Sequence, residues 1–461
     1  MYDNDTITAI STPFGEAGIS IVRMSGNNAL TIAEKIFLSS KGKNISEISS
    51  GTINHGKIIE PKTGQMVDEV LLTVMKAPFT YTREDIIEIN CHGGISASKR
   101  ILELTLENGA RLAEPGEFTK RAFLNGRIDL SQAEAVMDLI SAKTNTGLTI
   151  AANQLEGKLS KKIHLLREEL LTVLAHIEAV IDFPEEDIDE ITIEEIKGTI
   201  GKAIEDISKL LETSDTGKII REGLKTVIIG KPNVGKSSLL NALLDEKRAI
   251  VTNIPGTTRD IIEEFINIKG IPLKIIDTAG IRETEDIIEK IGVEKTKEFL
   301  HMADLVLIMF DASDELTKED EKIMGLIGDK KSIILINKTD LPQKLNENIV
   351  YEIAGVNPVL KISVLEDQGI EELKEQISDM FFSGKLKATD GIMITSIRHK
   401  ELLRKALNSL KEANSAVKGG MPLDLITIDI KEAFYELGNI VGETVKDNII
   451  DEIFSRFCVG K

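Results

Sequence analysis

Two kinds of hydrophobic pattern alternate over the first part of the chain. Short apolar runs with a period of two predict strands at residues 6–10, 18–23, 69–74 and 86–89. Apolar positions that recur every three to four residues predict helices at 28–38 and 96–109. This mixture predicts an α+β domain over residues 1–118, with a core of its own.

The pattern then changes to that of long helices. Apolar residues recur at spacings of three and four across 130–143 and across 147–182, and no proline interrupts them before Pro184. A further helix is predicted at 193–213. We therefore expect a helical bundle over residues 119–221.

Strand and helix patterns alternate from residue 222 to residue 382, which is typical of a doubly wound parallel sheet. Helical patterns return afterwards, at 397–417, 424–438 and 443–456. The simplest organisation inserts the doubly wound domain, 222–382, into an all-helical domain formed by 119–221 and 383–461. The predicted fold class is multidomain, α/β and α.

Composition limits the cellular setting and the partners. The two cysteines, Cys91 and Cys458, cannot form a disulfide framework or a metal site by themselves, which agrees with a reducing compartment. No apolar run approaches the roughly 18 residues of a membrane span, and the N-terminus lacks the basic and apolar regions of a signal peptide, so we expect a cytoplasmic protein. The formal net charge of −19 repels a polyanion, so a nucleic-acid substrate would need a partner for part of its binding.

A phosphate-binding motif opens the doubly wound region. A β-branched apolar run ends at Gly230, and four residues later come Gly235, Lys236 and Ser237, followed by a helical pattern. This order is that of a P-loop, in which glycines turn backbone N–H groups toward a phosphate and the helix N-terminus adds positive potential. Lys236 can then reach the β- and γ-phosphates, and Ser237 can ligate Mg²⁺.

Two later strand ends carry further residues suited to GTP hydrolysis. Asp277 can hold magnesium through water, and Gly280 can donate its N–H to the γ-phosphate. Asp340, in Asn-Lys-x-Asp, can accept from the guanine ring N–H and amine, whereas adenine would leave its carboxylate unpaired at a cost of about 1–3 kcal/mol. Ser363 either adds a backbone contact to the guanine oxygen or is an ordinary strand end.

The segment 252–260 lies where a GTPase keeps its first switch. Thr258 is the preferred magnesium ligand, because GTPases of the translation-factor-related class carry Gly-Thr-Thr-Arg-Asp, and Thr257 is the alternative. The candidate GTP-binding residues are Asn233, Val234, Gly235, Lys236, Ser237, Ser238, Thr252, Asn253, Ile254, Pro255, Gly256, Thr257, Thr258, Asp277, Thr278, Ala279, Gly280, Asn337, Lys338, Asp340 and Ser363.

The group that orients the attacking water is not evident from the motifs. Ile281 follows the second-switch glycine, and an apolar side chain cannot position water as glutamine does in many GTPases. Asn233 and the oxygen-rich segment 252–257 can instead hold a monovalent cation against the phosphates, which predicts hydrolysis stimulated by K⁺. Glu289 is a candidate for the water-orienting carboxylate; its alternative is an ordinary solvated helix residue.

Four segments outside the GTPase motifs are also distinctive. They are Pro-Gly-Glu-Phe-Thr at 115–119, the segments 121–130 and 179–184, and Phe-Cys-Val-Gly-Lys at 457–461. With the GTPase motifs, they resemble over the whole length the tRNA-modification GTPase family MnmE, also called TrmE. The resemblance implies an N-terminal α+β folate-binding domain, a helical bundle domain and an inserted doubly wound P-loop GTPase domain.

The resemblance also implies an activity and partners. The family forms a homodimer whose GTPase domains dimerise in K⁺ and GTP, which activates hydrolysis. With the flavoprotein MnmG it adds the carboxymethylaminomethyl group to carbon 5 of the wobble uridine of certain tRNAs. The one-carbon unit comes from a tetrahydrofolate, in its 5-formyl or 5,10-methylene form.

The family's site residues fall on particular positions of this chain. The resemblance implies potassium ligands at Asn233, Thr252, Thr257 and the carbonyl of Ile254, magnesium ligands at Ser237 and Thr258, and a catalytic glutamate at Glu289. It implies a folate site at Arg23, Glu88, Arg127 and Lys461. Arg127 is lysine in some relatives, which keeps the charge but changes its geometry.

Two questions stay open on the residues alone. Cys458 lies near Arg456 and Lys461, which can stabilise a reactive thiolate and make it a candidate catalytic residue beside Lys236; a buried apolar cysteine is the alternative. Two other functions compete with GTP-driven tRNA modification. One is a ribosome-assembly GTPase switch, and the other is a folate-dependent one-carbon transferase with a regulatory GTPase. Ribosome-assembly GTPases usually append a basic RNA-binding module, which the acidic helical flanks do not resemble.

Overall fold

The computed structural model describes most of the chain in several segments. These are residues 5–182, 193–245, 265–276, 299–325, 328, 330–382 and 391–461. Two sheets and a group of long helices within these segments each enclose an apolar core.

The first sheet belongs to the N-terminal part of the chain. Its strands are β1 Ile7–Ile10, β2 Ala17–Ser25, β3 Phe37–Ser39, β4 Thr52–Ile59, β5 Met66–Met75, β6 Ile86–Gly93 and β7 Arg111–Leu112. They lie in the order β3-β4-β5-β6-β2-β1-β7, and neighbours are antiparallel except β1 and β7. The predicted strands are confirmed, whereas β3, β4 and β7 had not been predicted from the apolar pattern.

Helices cover one face of this sheet. They are α1 Ala29–Ile36 and α2 Ile95–Glu107, with a short 3₁₀-helix at Ile45–Glu47. Along β5 the buried Val70 and Leu72 alternate with the exposed Glu69 and Leu71, which is the pattern of a strand with one face in the core. The predicted α+β character of this part is confirmed.

Six helices follow the first sheet. They are α3 Glu117–Leu124, α4 Leu130–Ser141, α5 Asn145–Leu155, α6 Lys158–Asp182, α7 Ile193–Glu212 and α8 Ser214–Glu222. The prediction of one helix across 147–182 is wrong, because Gly157 adopts a left-handed conformation at φ 82° and separates α5 from α6. The apolar spacing runs unbroken from Leu155 to Leu159, so periodicity alone could not detect the break.

The second sheet follows directly from α8. Its strands are β8 Leu224–Ile229, β9 Phe265–Ile268, β10 Ile271–Ile275, β11 Leu305–Asp311, β12 Ser332–Asn337 and β13 Val359–Lys361, in the order β13-β12-β11-β8-β10-β9. All neighbours are parallel except β9 and β10. The described helices of this part are α9 Lys236–Asp245, α10 Lys318–Gly325, α11 Glu347–Ala354 and α12 Ile370–Phe382.

Apolar side chains are buried on both faces of the second sheet. β11 and β12 are almost continuously apolar and buried, as strands of a parallel sheet covered on both faces require. β8 lies between β10 and β11, so consecutive strands are added on opposite sides of it. Such a switch point is where doubly wound sheets bind ligands.

Three helices complete the chain, α13 Ile397–Lys418, α14 Leu423–Val441 and α15 Asp447–Ser455. α13 and α14 share one apolar core with α6 and α7, although more than 180 residues lie between the end of α7 at Glu212 and the start of α13 at Ile397 and carry the second sheet. The predicted fold class is therefore confirmed, while the exact domain limits stay predictions. None of the helices in the described segments combines the length and apolar content of a bilayer span.

Candidate functional site

The carboxyl ends of parallel strands bring several predicted residues to one edge of the second sheet. The loop after β8 holds 230–238, the loop after β12 holds 337–340, and Ser363 follows β13. Because these strands are parallel, the three loops open at the same edge. We call this the nucleotide edge.

The phosphate loop has the backbone conformation that its sequence predicts. Gly230, Asn233 and Gly235 all have positive φ, at 154°, 62° and 104°. Asparagine is among the few non-glycine residues that tolerate this region. α9 begins at Lys236, so its unpaired N–H groups and positive dipole end face the loop. The loop can therefore bind an anion with backbone donors.

Lys236 is folded back onto the loop. Its Nζ donates to the carbonyl of Gly230 at 2.8 Å and to that of Lys231 at 2.6 Å. Burial lowers the pKa of Lys236, and the carboxylate of Glu319 offsets part of that shift. A phosphate near this ammonium would offset the cost of burying its charge.

Asn337, at the end of β12, links the phosphate loop to the loop after β13. Its buried side chain donates from Nδ2 to the carbonyl of Val234 at 2.8 Å and accepts at Oδ1 from the N–H of Val364 at 3.2 Å. A Cβ on Gly235 would collide with the same amide, so this glycine also permits the close approach. Predicted as a GTP-binding residue, Asn337 lies between the loops rather than at their surface.

Asp340 lies at the exposed end of the same edge. The hydroxyl of Ser363 donates to its Oδ1 at 2.6 Å, and the N–H of Glu366 donates to that hydroxyl oxygen at 3.2 Å. Ser363 is buried and therefore orients the carboxylate of Asp340. Ser363 thus has a side-chain role beside the backbone contact that the sequence suggested.

A further ion pair at this edge was missed by the sequence analysis. Lys338, with φ 64°, places its Nζ 2.5 Å from Oδ2 of Asp311 at the end of β11. Burial alone would raise the pKa of Asp311, but Lys338 and Ser313 hold it below its usual value. The sequence feature that could have indicated Asp311 is its position as an aspartate at the end of the apolar run 305–310.

The remaining predicted residues of this site lie outside the described residues. They are Thr252, Asn253, Ile254, Pro255, Gly256, Thr257, Thr258, Asp277, Thr278, Ala279, Gly280 and Glu289. Ser237 and Ser238 are exposed at the start of α9, as a magnesium ligand and its neighbour need to be. The described residues therefore include the predicted phosphate-loop residues and those that follow β12 and β13.

A second cluster forms where the two ends of the chain meet. Nε and Nη2 of Arg23 lie 2.8 and 2.7 Å from Oε1 of Glu88, on neighbouring strands. Nη1 of Arg23 donates to the carbonyl of Gly460 at 3.4 Å, and the hydroxyl of Ser11 donates to the same carbonyl at 3.1 Å. The predicted residues Arg23 and Glu88 are thus brought beside the C-terminal tail, residues 456–461.

Main-chain hydrogen bonds hold the C-terminal tail in place. The N–H of Gly116 donates to the carbonyl of Cys458 at 3.3 Å, and the N–H of Phe118 donates to that of Lys461 at 3.2 Å. The Cys458 side chain is an exposed free thiol, so the alternative of a buried cysteine is wrong. Lys461 therefore ends beside α3 and the Arg23–Glu88 pair.

Arg127 is connected to this cluster through an aromatic ring. Its guanidinium lies 4.7 Å from the centre of the Tyr81 ring, and the Tyr81 hydroxyl lies 3.0 Å from Oγ1 of Thr119. Arg127 itself is exposed. Among the described contacts, none joins Arg127 directly to Arg23 or Glu88, so the structure pairs Arg23 with Glu88 beside the main chain of Gly460, and Arg127 lies apart from this pair.

Comparison with known proteins identifies the family of the chain. A family model described as "MnmE helical domain" matches residues 130–458, and one described as "GTP-binding protein TrmE N-terminus" matches residues 6–127. The tRNA modification GTPase MnmE of Alkaliphilus oremlandii is 57% identical over 100% of both chains, and that of Geobacillus kaustophilus is 53% identical over 100% of both. The chain belongs to the MnmE family of tRNA modification GTPases.

The match to MnmE covers both clusters described above. Arg23 and Glu88 fall within the TrmE N-terminal match, and the nucleotide edge and Cys458 fall within the span of the MnmE helical match. Among solved structures, the G domain of the T. maritima FeoB iron transporter is 27% identical and covers 34% of this chain and 97% of that chain, with a TM-score of 0.25.

Proposed function

We propose that the chain binds GTP with Mg²⁺ at the nucleotide edge and hydrolyses it in the course of tRNA modification. The observation that carries this proposal is the double hydrogen bond of Asn337, which fixes the phosphate loop against the loop that selects guanine. One side chain thereby sets the spacing between the phosphate end and the base end of the site. The 57% identity to an MnmE relative over the whole length supports the same function.

Each described residue at this edge has a distinct role in the proposal. The N–H groups of 233–238 and the ammonium of Lys236 bind the β- and γ-phosphates. The phosphate oxygens then take the place of the two loop carbonyls to which Lys236 donates in the structure. Ser237 ligates the magnesium together with Thr258, and Asp277 holds it through water. Bound Mg²⁺ supplies positive charge that neutralises the phosphate oxygens during transfer.

Guanine selection rests on Asp340. Its carboxylate accepts from the guanine ring N–H and amine, and the Ser363 hydroxyl orients it for this contact. A nucleotide whose base lacks these donors would leave the charge desolvated and unpaired, which costs about 1–3 kcal/mol or more. This is the physical reason for preferring GTP over ATP.

Hydrolysis is proposed to depend on a monovalent cation and on Glu289. Asn233 contributes one potassium ligand, with Thr252, Ile254 and Thr257, and Glu289 orients the attacking water. Bound K⁺ supplies the positive charge that an arginine finger supplies elsewhere. We expect faster GTP hydrolysis in K⁺ than in Na⁺ at equal ionic strength; equal rates would contradict the cation site.

We further propose that the second cluster binds a one-carbon tetrahydrofolate, 5-formyl- or 5,10-methylene-tetrahydrofolate. Glu88 can accept hydrogen bonds from the pterin ring of the folate. Arg23, Arg127 and Lys461 offer positive charge to the carboxylates of its glutamate part. The side chains of Arg23 and Glu88 are 18% and 21% exposed, which leaves them accessible beside the tail. In this proposal the thiol of Cys458, which is free and exposed, takes part in the chemistry there.

The full proposal joins the two sites in one reaction. A cytoplasmic homodimer acts with the flavoprotein MnmG to add the carboxymethylaminomethyl group to carbon 5 of the wobble uridine of certain tRNAs. In this proposal residues 1–118 form the folate-binding domain, 119–221 and 383–461 form the helical domain, and 222–382 form the GTPase domain.

Nucleoside mass spectrometry of tRNA tests this function. Cells that lack the gene should lose the modified wobble uridine, and the wild-type chain should restore it. Lys236→Ala should fail to restore it, because the phosphates lose their cation while the fold is kept. Unchanged wobble uridines in cells without the gene would overturn the proposal and favour a ribosome-assembly role.

A further inference from the structure

The chain crosses between the helical part and the nucleotide-binding sheet at two neighbouring places. It leaves through α8, which ends at Glu222 two residues before β8, and it returns through 391–396 into α13. The two crossings touch, since the N–H of Ile394 donates to Oγ1 of Thr213 at 3.1 Å. The returning segment 391–396 also lies so close to Gly217 that a Cβ there would collide with the Ile394 carbonyl.

Two carboxylates one helical turn apart on α4 bind the two crossings, each with an ion pair to a different one. Oδ1 of Asp138 lies 2.8 Å from Nε of Arg221, at the end of α8. Glu134 accepts from Nε and Nη2 of Arg398 at 3.0 and 3.1 Å, and its Oε2 lies 2.6 Å from Nε2 of His399, at the start of α13. We call these five residues the α4 clamp.

The two halves of the α4 clamp differ in strength. Burial alone would raise the pKa of Glu134, but His399 and Arg398 hold it far below its usual value, so this carboxylate stays ionised and fixed. Arg398 is fixed as well, since it donates to the carbonyls of Asn439 and Ile440 at the end of α14.

The Asp138 half is weaker. Burial raises the pKa of Asp138, and Arg221 offsets only part of the shift. Arg221 is 32% exposed, and the hydroxyl of Thr395 is 3.5 Å from Oδ2 of Asp138, at the limit of a hydrogen bond. A cavity of about 20 Å³ lined by Asp138, Arg221 and Thr395 leaves room for one water or for a shift of the carboxylate. This half can open while the Glu134 half stays closed.

α4 also reaches the second cluster. Its N-cap residue, Asp129, lies two residues after Arg127. Leu130 and Ala133 of this helix share an apolar core with Phe454 and Phe457, near the C-terminus. The helix therefore extends from the crossing into the nucleotide-binding sheet to the base of the C-terminal tail.

We propose that Asp138 and Arg221 are positioning residues whose ion pair couples the nucleotide state of the second sheet to the C-terminal tail through α4. β8 joins α8 directly to the phosphate loop, so a rotation of the sheet moves Arg221. Glu134 keeps the other crossing fixed against α4. The motion of Arg221 therefore changes the geometry of its ion pair with Asp138. The inference rests on the proposed GTP site and tRNA modification.

A double-mutant cycle at Asp138 and Arg221 tests this coupling. Asp138→Asn and Arg221→Gln should keep GTP affinity and hydrolysis within about twofold, yet lower restoration of the modified uridine in cells by about tenfold. The double variant should be no worse than either single variant, and Arg221→Lys, which keeps the charge, should retain more than Arg221→Gln.

A matched control pair lies at the same two crossings. Lys400 and Asp215 form an exposed ion pair from α13 to α8 at 2.7 Å, and Lys400→Gln should leave both activities unchanged. Normal tRNA modification in Asp138→Asn, additive losses in the double variant, or a parallel fall in GTP hydrolysis would each overturn the inference. A wild-type chain that fails to bind GTP or to restore the modification would instead overturn the proposed function.

Discussion

Asn337 shows how one side chain assembles a site from distant parts of the chain. Its two hydrogen bonds reach Val234, 103 residues earlier, and Val364, 27 residues later. Both partners are main-chain groups, so the side chain fixes the course of two loops rather than contacting one ligand atom. The order of the nucleotide edge therefore depends on this amide.

Replacement of Asn337 by alanine should weaken GTP binding. The substitution leaves the carbonyl of Val234 and the N–H of Val364 without their partner, at about 1–3 kcal/mol, which corresponds to roughly a 5- to 150-fold loss of affinity. Titration of a fluorescent GTP analogue measures the change. Asn357→Ala is the control, because Asn357 donates only to the nearby carbonyl of Ala354; equal affinities in the two variants would contradict this role.

Single residues differ in how far the sequence predicts them. Lys236 and Asp340 are identified by their motifs, because their chemistry requires a fixed spacing from a strand end. The partners of Lys338 and Asp340, namely Asp311 and Ser363, depend on which strands become neighbours. That neighbour order is a tertiary property, so the sequence indicated Ser363 only weakly and did not indicate Asp311.

α4 is the element that connects the parts of the molecule. A capping box begins it, with Asp129 accepting from the N–H of Gln132 at 2.9 Å and the Gln132 side chain accepting from the N–H of Asp129 at 3.0 Å. The sequence predicted the helix almost to the residue. It did not predict the role of Glu134 and Asp138, because carboxylates on a helix are usually solvated.

Glu134 should make the stability of the helical part depend on pH. Its pKa in the folded chain lies below the ordinary value of 4.5, so its contribution is present above pH 4.5 and is lost as the pH falls toward the folded pKa. Glu134→Gln leaves the guanidinium of Arg398 without its buried counter-charge, which should lower the free energy of unfolding by about 3–5 kcal/mol at pH 7. Urea unfolding of both chains followed by circular dichroism measures this difference.

The difference between the two chains should shrink below pH 4.5, because the carboxylate of the unfolded wild-type chain then binds a proton while that of the folded chain stays ionised, so the stabilisation from its lowered pKa decreases. Glu205→Gln is the matched control, since Glu205 pairs with Lys209 on the exposed face of α7. We expect that variant to change stability by less than about 0.5 kcal/mol at either pH. A constant wild-type advantage down to pH 3 would contradict the assignment of an ionised, buried Glu134.

The whole molecule brings its two ends together. The C-terminal tail contacts residues that are more than 430 positions earlier, among them Arg23 and Ser11. No local pattern predicts such a contact, and only the family resemblance pointed to Arg23, Glu88 and Lys461 as one site. The tail stays beside the N-terminal sheet because Gly116 and Phe118 donate main-chain hydrogen bonds to it.

At this scale the sequence predicted the architecture better than its details. The switch from period two to period 3.6 separated the α+β part from the helices, and the return of helical patterns after residue 382 indicated an insertion. The sequence did not predict the break at Gly157, because the apolar spacing is continuous across it. It did not predict strands β3, β4 and β7 either, because their apolar patterns are too short or too weak. Packing against distant elements determines those features.

Selection of guanine by Asp340 is measured by calorimetric titration of the purified chain, and of the Asp340→Asn variant, with GTP, ATP and XTP. We expect the wild-type chain to bind GTP at least about tenfold more tightly than ATP or XTP, because only guanine supplies both donors to Asp340. The variant should lose GTP affinity and gain XTP affinity, since a carboxamide can donate to the additional carbonyl of xanthine. Equal affinity of the wild-type chain for ATP and GTP, or an unchanged preference in Asp340→Asn, would contradict the account.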